Sequence, residues 1–288
     1  MSELKTLLKL IRIKQWYKNI VIFLPLVFTF QFLILEAFYL TILGFISLGL
    51  VVSGIYILND IQDIKIDKLH PRKKKRPIAA GLVTIKQSKI LFIIFLAAGF
   101  SLSSFLSLQF SFILFLILIN NLIYFKWTKN IVFLDIISIS MNFVIRVISG
   151  IILLDVLLSP WLIGGVFLVA LFLGFMKRKN ELQTLKEKAE THRKTLAYYS
   201  VSSLNRILIT ISILVIITYS VYVITENPTN DFTLVFTIPI IVFIIFRQIH
   251  LSYKIESLSK ADEVINDIPT LCAIISYILL TIFFLYFK

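Results

Sequence analysis

Long apolar segments separated by short polar ones run along almost the whole chain. They suit helices of roughly 17 to 25 residues, the length that crosses a hydrocarbon core about 30 Å thick. Nine such segments are predicted to span a membrane, at about 19–36, 38–58, 89–107, 108–125, 131–154, 160–177, 204–225, 232–250 and 268–287. The pattern therefore predicts an all-α integral membrane protein, with nine transmembrane helices in a single domain over residues 1–288.

The positive charge lies on one side of these predicted spans. All of the 29 Lys and Arg residues except Arg146 and Lys288 fall in the N-terminal segment or in and beside the loops after spans 2, 4, 6 and 8. Because Lys and Arg concentrate in cytoplasmic loops, we expect a cytoplasmic N-terminus and an external C-terminus in the cell (plasma) membrane. This topology explains the net charge of +13, so no nucleic-acid partner is indicated.

Composition excludes several other classes of protein. Hydrophobic residues make up 58% of the chain and charged residues 16%, whereas a soluble domain is about half apolar and a quarter charged. The single cysteine, Cys272, excludes a disulfide framework and a cysteine-based metal site. The sequence does not determine the oligomeric state.

The end of span 2 carries a row of aspartates on one helical face. Asp60, Asp63 and Asp67 are spaced i, i+3 and i+7; Tyr56 shares their arc and Asn59 lies beside it. Because like charges on one face repel each other, we expect a bound cation to neutralise them. Carboxylate and amide oxygens suit Mg²⁺, which binds one or two protein carboxylates together with substrate phosphates. We therefore predict Mg²⁺ on Asn59 and Asp63, with Asp60 and Asp67 in supporting catalytic roles.

A basic cluster follows this acidic face directly. It consists of Arg72, Lys73, Lys74, Lys75 and Arg76. Acids for a metal beside bases for phosphate are what a metal–diphosphate substrate requires, so Lys73, Arg76 and the neighbouring Tyr56 are predicted to bind substrate. The alternative is structural, with the acids paired to these lysines on a helix at the membrane surface.

The motif residues resemble those of a known family. NDIQDIKID at 59–67 matches N-D-x-x-D-x-x-x-D, the first aspartate-rich motif of the UbiA superfamily of intramembrane transferases. RIKQWYKN at 12–19 and HPRKKKRPIAAG at 70–81 look like the branch of decaprenyl-phosphate phosphoribosyltransferases. The resemblance implies a UbiA-like helical bundle with an active site facing the cytoplasm, to which the loops 59–88 and 178–203 contribute.

The second aspartate-rich motif of the prenyl-transferring members of that superfamily is absent from this sequence. The region after span 6 reads FMKRKNELQTLKEKAETHRKTLAYY, which is basic and contains no aspartate. A prenyl diphosphate donor is expected to require both motifs. The missing motif therefore favours the phosphoribosyl branch.

Span 5 carries a polar stripe, formed by Asp135, Ser138, Asn142, Arg146 and Ser149. Ionisable residues inside a membrane cost roughly 2.5 to 3.5 kcal/mol or more each and normally face the bundle interior. We predict that this stripe is a wall of the active site, with Asp135 catalytic and Arg146 on a phosphate. The alternative is an internal Asp135–Arg146 pair, which a separation of about 16 Å along the helix disfavours.

The resemblance assigns further residues to the substrate pocket. They are Lys14, Lys18, Tyr124, Lys126, Lys177, Arg178 and Glu181. For the last three residues, at the end of span 6, snorkelling at the membrane surface is a simpler explanation that needs no function.

The resemblance implies Mg²⁺-dependent transfer of 5-phosphoribose from 5-phosphoribosyl 1-diphosphate to a polyprenyl phosphate in the membrane. An alternative is a UbiA-type prenyltransferase that moves a polyprenyl group to an aromatic acceptor. A transporter is disfavoured, because the sequence shows neither internal repeats nor spans interrupted by Gly and Pro.

Overall fold

The computed structural model describes residues 3–69, 73–185, 194–226, 232–253 and 267–287. These residues form helices joined by short connections, and no strand occurs among them. The α-helices are α1 (Glu3–Leu10), α2 (Leu24–Phe28), α3 (Leu35–Gln62), α4 (Ile64–Leu69), α5 (Ile85–Leu106), α6 (Leu108–Lys126), α7 (Leu134–Leu154), α8 (Pro160–Leu185), α9 (Val201–Thr225), α10 (Ile238–Tyr253) and α11 (Ile268–Tyr286). Short 3-10 helices cover Ile13–Phe23, Lys73–Lys75, Thr128–Asn130, Lys194–Tyr198 and Thr233–Thr237.

Eight helices in the described ranges are long and apolar enough to cross a membrane, and they correspond to the second to ninth predicted spans. The first predicted span, 19–36, differs. Its helical part is the 3-10 helix Ile13–Phe23 continued by α2, and the chain then turns through Phe30, whose φ is +59°. Hydropathy cannot detect this turn, because the residues on both sides of it are apolar.

The sixth span is longer than predicted. Apolar residues end near position 177, but α8 continues to Leu185. The segment predicted to begin the loop 178–203 is therefore still helical as far as Leu185. An i, i+3 ion pair between Arg178 and Glu181 supports this polar extension. The rest of that loop includes residues 186–193, and the loop 59–88 includes residues 70–72; both segments lie outside the described residues.

The chain divides into two compact units. Unit 1 contains Met1–Leu26, Gln31–Phe125 and Ile145–Val156. Unit 2 contains Val27–Phe30, Lys126–Val144 and Leu157–Lys288. Helix α7 contributes its first half to unit 2 and its second half to unit 1.

In unit 1, α3 packs closely against α5. Gly99 makes this approach possible, since a Cβ there would lie 3.0 Å from the backbone nitrogen of Val51. The Ser47 hydroxyl donates a hydrogen bond of 2.8 Å to the Gly99 carbonyl oxygen. Small residues and cross-helix hydrogen bonds of this kind are how membrane helices associate. The buried apolar core around them is formed by Ile22, Leu48, Val51, Val52, Ile55, Phe110, Leu114, Ile117 and Leu153.

In unit 2, α8 packs against α9, and α10 packs against α11. The buried core consists of Ile136, Phe172, Phe175, Met176, Tyr199, Leu204, Leu208, Ile211, Val215 and Ile245. The 3-10 helix Lys194–Tyr198 leads into this core through Tyr199, whose hydroxyl accepts a hydrogen bond of 3.1 Å from the Phe133 backbone N–H.

Candidate functional site

The acidic motif lies where α3 passes into α4. Asp63 separates the two helices with φ −90° and ψ 5°, yet the helical hydrogen bonds continue across it. The Asp63 N–H donates to the Asn59 carbonyl oxygen at 2.9 Å, and the Asp67 N–H donates to the Asp63 carbonyl oxygen at 2.8 Å. The helical register is therefore kept across Asp63, and Asp60 and Asp67 remain on one side.

Two arginines hold these two carboxylates. Nη1 of Arg76 lies 2.6 Å from Asp67 Oδ2 and 3.1 Å from Asp60 Oδ1. Arg12 also pairs with Asp60 Oδ1, and its guanidinium carbon lies 4.8 Å from the centre of the Tyr56 ring. Asp60 and Asp67 are only 2% and 1% exposed, so their charges are compensated inside the protein. Among the described residues, the ion pairs of these two aspartates go to Arg12 and Arg76.

The segment that carries Arg12 is fastened to α3. The Trp16 indole N–H donates to the Ser53 hydroxyl oxygen at 3.1 Å, and that hydroxyl donates to the Ile11 carbonyl oxygen at 3.0 Å. The Trp16 ring also fills the space beside Gly49, where a Cβ would lie 2.7 Å from the ring. Trp16 is therefore a packing residue of unit 1, although its sequence position suggests an ordinary interfacial anchor.

Arg12 was not among the predicted site residues. The resemblance in RIKQWYKN placed the substrate lysines at Lys14 and Lys18. In the structure Lys14 is exposed, and Lys18 lies half-buried with its Nζ 5.9 Å from the Tyr17 ring centre. Arg12 is the first residue of the same motif, so the motif was found but the residue within it that contacts an aspartate was missed.

The acidic face fits a hard divalent cation that is shared with a substrate. Asn59 and Asp63 are half-buried and offer amide and carboxylate oxygens. Oδ1 of Asp67 is buried and has no hydrogen-bond partner among the described residues, as expected beside a cation. Within the same residues, no group of three His, Cys, Asp or Glu side chains forms a complete protein-only site. Substrate oxygens would therefore complete the coordination.

Arg146 lies within unit 1 and is 6% exposed. Its Nε donates a hydrogen bond of 3.0 Å to Oδ1 of Asn19 in the 3-10 helix Ile13–Phe23. One turn further along α7, Gly150 allows the 3-10 helix to pack closely against α7, since a Cβ at position 150 would lie 2.3 Å from the Ile22 carbonyl oxygen. The second half of the polar stripe therefore faces the N-terminal segment of unit 1.

Asp135 begins the stripe in unit 2 and is fully buried. Its Oδ2 accepts a hydrogen bond of 3.0 Å from Arg178 Nε and one of 3.5 Å from the Thr195 hydroxyl. Nη1 of Arg178 reaches Glu181 Oε2 at 2.8 Å. Asp135 therefore pairs with Arg178 of α8 and not with Arg146, the partner considered from the sequence.

The other predicted substrate residues occupy different environments. Lys177 is exposed although the adjacent Arg178 is buried. Tyr124 is half-buried, whereas Lys126 is exposed with its Nζ 4.7 Å from the Trp127 ring centre. Lys73 is half-buried beside Arg76. A cluster of all predicted residues therefore stays a prediction.

Lys179 is a buried cation that no sequence motif singles out. It is 0% exposed, and its Nζ donates to the Ser252 hydroxyl oxygen at 2.8 Å. The same Nζ lies 3.8 Å from the centre of the Tyr253 ring. A lysine one residue after Arg178 looks like part of the surface charge in the sequence, so only its position on α8 reveals its burial.

Known proteins share both the sequence pattern and the fold. The model of the UbiA prenyltransferase family matches residues 22–265. A protein of Sinorhizobium fredii named y4nM is 32% identical over 179 residues, which are 61% of this chain but only 34% of that protein. The decaprenyl-phosphate phosphoribosyltransferase of Mycolicibacterium smegmatis is 29% identical over 231 residues, which are 78% of this chain and 72% of that enzyme.

A solved structure agrees with the helical arrangement. The structure of a UbiA homolog from Archaeoglobus fulgidus bound to GPP and Mg²⁺ has a TM-score of 0.69 and covers 96% of this chain and 95% of that one, at 16% identity. At this identity the likeness establishes the fold. With the family match and the apolar helices, it identifies this chain as a multi-pass membrane protein that belongs to the UbiA prenyltransferase family of transferases.

Proposed function

We propose that this protein transfers 5-phosphoribose from 5-phosphoribosyl 1-diphosphate to a polyprenyl phosphate. An oxygen of the lipid phosphate forms a bond to C1 of the ribose, and the bond from C1 to the diphosphate oxygen breaks. The products are polyprenyl-phosphoryl-5-phosphoribose and diphosphate. The relatives named decaprenyl-phosphate phosphoribosyltransferase support this substrate pair.

One observation carries the proposal. The chain has a single aspartate-rich motif, clamped by Arg12 and Arg76, and a basic region without aspartate after α8. One metal-binding face suits one diphosphate, and the surrounding cations suit the additional phosphates of a phosphorylated sugar and a lipid phosphate. A prenyl diphosphate and an aromatic acceptor would bring one diphosphate and no further phosphate to those cations.

In this proposal Asn59 and Asp63 hold Mg²⁺ on the acidic face. Mg²⁺ bound there would neutralise charge that develops on the leaving diphosphate. Lys73 and Arg76 bind the diphosphate, and Arg146 binds a phosphate. The further proposed substrate residues are Lys14, Lys18, Tyr56, Tyr124, Lys126, Lys177, Arg178 and Glu181, with Asp60, Asp67 and Asp135 supporting the site.

The reaction does not need a strong general base. The acceptor phosphate is already an anion, and cleavage at the anomeric carbon passes through a state with oxocarbenium character. The work of the protein is therefore to bind anions and to stabilise charge. A motif rich in Arg and Asp fits that task.

The proposed orientation follows from the charge distribution. The N-terminus and the loops 59–88 and 178–203 lie in the cytoplasm, where a water-soluble sugar diphosphate is available, and the C-terminus lies outside. The proposed location is the plasma membrane. Cysteine labelling tests the orientation in a variant that lacks Cys272. In this topology a cysteine introduced at Lys74 lies on the cytoplasmic side, and one introduced at the exposed Phe287, at the end of the last span, lies outside.

Incubation of purified protein with two labelled donors tests the function. With a polyprenyl phosphate acceptor, label from 5-phosphoribosyl 1-diphosphate enters the lipid fraction, and EDTA stops the transfer. In a parallel reaction, labelled prenyl diphosphate is offered with an aromatic acceptor. Transfer from the prenyl donor alone would establish the prenyltransferase alternative and overturn the proposal.

A further inference from the structure

We infer that Arg12 is a ligand of the donor diphosphate and that Asp60 positions Arg12 and does not bind the metal. This inference rests on the proposed function for the identity of the diphosphate donor. It separates the aspartates of one motif into two roles, which the spacing in the sequence cannot do.

The contacts of Asp60 provide the first argument. Its Oδ1 accepts from both Arg12 and Arg76, and the residue is 2% exposed. A carboxylate between two guanidinium groups is already charge-compensated. Displacing them for a metal would leave the partly buried Arg12 without its carboxylate and Arg76 with Asp67 alone. Asp67 differs, because one of its oxygens faces Arg76 and the other is buried without a hydrogen-bond partner in the described part of the chain.

The backbone of Arg12 provides the second argument. Its φ of +51° is in the left-handed region. This conformation is energetically unfavourable for a residue that has a side chain, and it persists where surrounding contacts hold the residue in place. Here the contacts are the Asp60 carboxylate and the face of the Tyr56 ring. The guanidinium is therefore fixed in direction, and its side chain is still 21% exposed. A guanidinium has five N–H donors, so it can hold Asp60 and a phosphate together.

The local charge provides the third argument. Asp60, Asp63 and Asp67 with Arg12 and Arg76 leave one net negative charge, which binding of a divalent cation converts to one net positive charge. The cluster therefore attracts a diphosphate only after the metal has bound. Arginine is suited to the final contact because its planar fork can bind two phosphate oxygens at once.

The test measures binding of Mn²⁺ and of inorganic diphosphate to the full chain in detergent, without turnover. Mn²⁺ affinity is read by electron paramagnetic resonance, and diphosphate affinity by calorimetry at saturating Mn²⁺. We expect Arg12→Gln and Asp60→Asn each to weaken diphosphate binding about 10- to 100-fold and to leave Mn²⁺ affinity within about twofold. Asp63→Asn is expected to remove Mn²⁺ binding. Lys9→Gln, which removes one exposed charge from the same segment, is the matched control and binds both ligands normally.

Two further variants keep the test independent of folding defects. Arg12→Lys keeps the charge but not the fork, so diphosphate affinity is expected between those of wild type and Arg12→Gln. In the double variant Arg12→Gln/Asp60→Asn, the loss of diphosphate affinity is expected to be no larger than the larger of the two single-variant losses, because Asp60 acts through Arg12.

Several outcomes would overturn the inference. They are a loss of Mn²⁺ binding in Asp60→Asn comparable to that in Asp63→Asn, normal diphosphate binding in Arg12→Gln, or fully additive losses in the double variant. Failure of the proposed function can be distinguished from failure of this inference. In that case phosphoribosyl transfer is absent from wild type while the binding differences among these variants remain.

Discussion

The buried ion pair of unit 2 makes a quantitative prediction about stability. Arg178 and Asp135 are 2% and 0% exposed and lie 3.0 Å apart. Replacing Arg178 with Gln leaves the Asp135 carboxylate buried without its cation, which typically costs about 3 to 5 kcal/mol. Replacing both residues, as Arg178→Met with Asp135→Leu, removes both charges, and we expect it to cost less than the single change. This ordering is the signature of a buried pair.

The assay is equilibrium unfolding in mixed detergent micelles, followed by helical circular dichroism. Arg247→Gln is the matched control, because Arg247 forms a comparable bidentate pair with Asp267, at 3.0 and 2.9 Å, that is more exposed. We expect a much smaller loss for this control, since solvent screens exposed pairs. Equal losses for the two Arg→Gln variants, or a double variant less stable than Arg178→Gln, would refute the reasoning.

Three other variants test separate parts of the account. Asp63→Asn is expected to abolish transfer with unchanged unfolding, and retained turnover would remove the metal site from Asp63. Gly150→Ala would place a Cβ 2.3 Å from the Ile22 carbonyl oxygen, so we expect overpacking to lower the free energy of unfolding by about 1 to 3 kcal/mol. An unchanged unfolding midpoint would contradict this. Asp267 caps α11, and the hydrogen bond from Arg247 lowers the pKa of its carboxyl group. Its stabilisation is therefore present above its unfolded pKa of about 3.9 and is lost as the pH falls through the lower folded value. Asp267→Ala should cost about 1 kcal/mol at neutral pH and progressively less as the pH falls below the unfolded pKa of about 3.9. A cost that grows as the pH falls would contradict this sign.

Much of the fold could be predicted from hydropathy because a bilayer requires long apolar helices. Eight predicted spans correspond to observed helices. The first span could not be placed, since the turn after Phe28 occurs within apolar sequence. The end of α8 was missed for the opposite reason, because the helix continues after its residues become polar.

The candidate site was predictable where the helical period controls it. The spacing of Asp60 and Asp67 places them on one side, and Arg76 joins them as a neighbour in sequence. Arg12 and Arg178 were harder to assign, because the partner of each lies 48 and 43 residues away in the sequence. Periodicity describes one helix at a time, and such pairs depend on how helices pack.

The mass of the lipid product tests the central claim most directly. Purified protein, Mg²⁺, 5-phosphoribosyl 1-diphosphate and a polyprenyl phosphate are incubated, and the lipids are analysed by mass spectrometry. The account predicts a polyprenyl phosphate that has gained one phosphoribosyl unit, with one diphosphate released per lipid formed and no product from Asp63→Asn. A lipid of unchanged mass, with an aromatic acceptor prenylated in the parallel reaction, would contradict it.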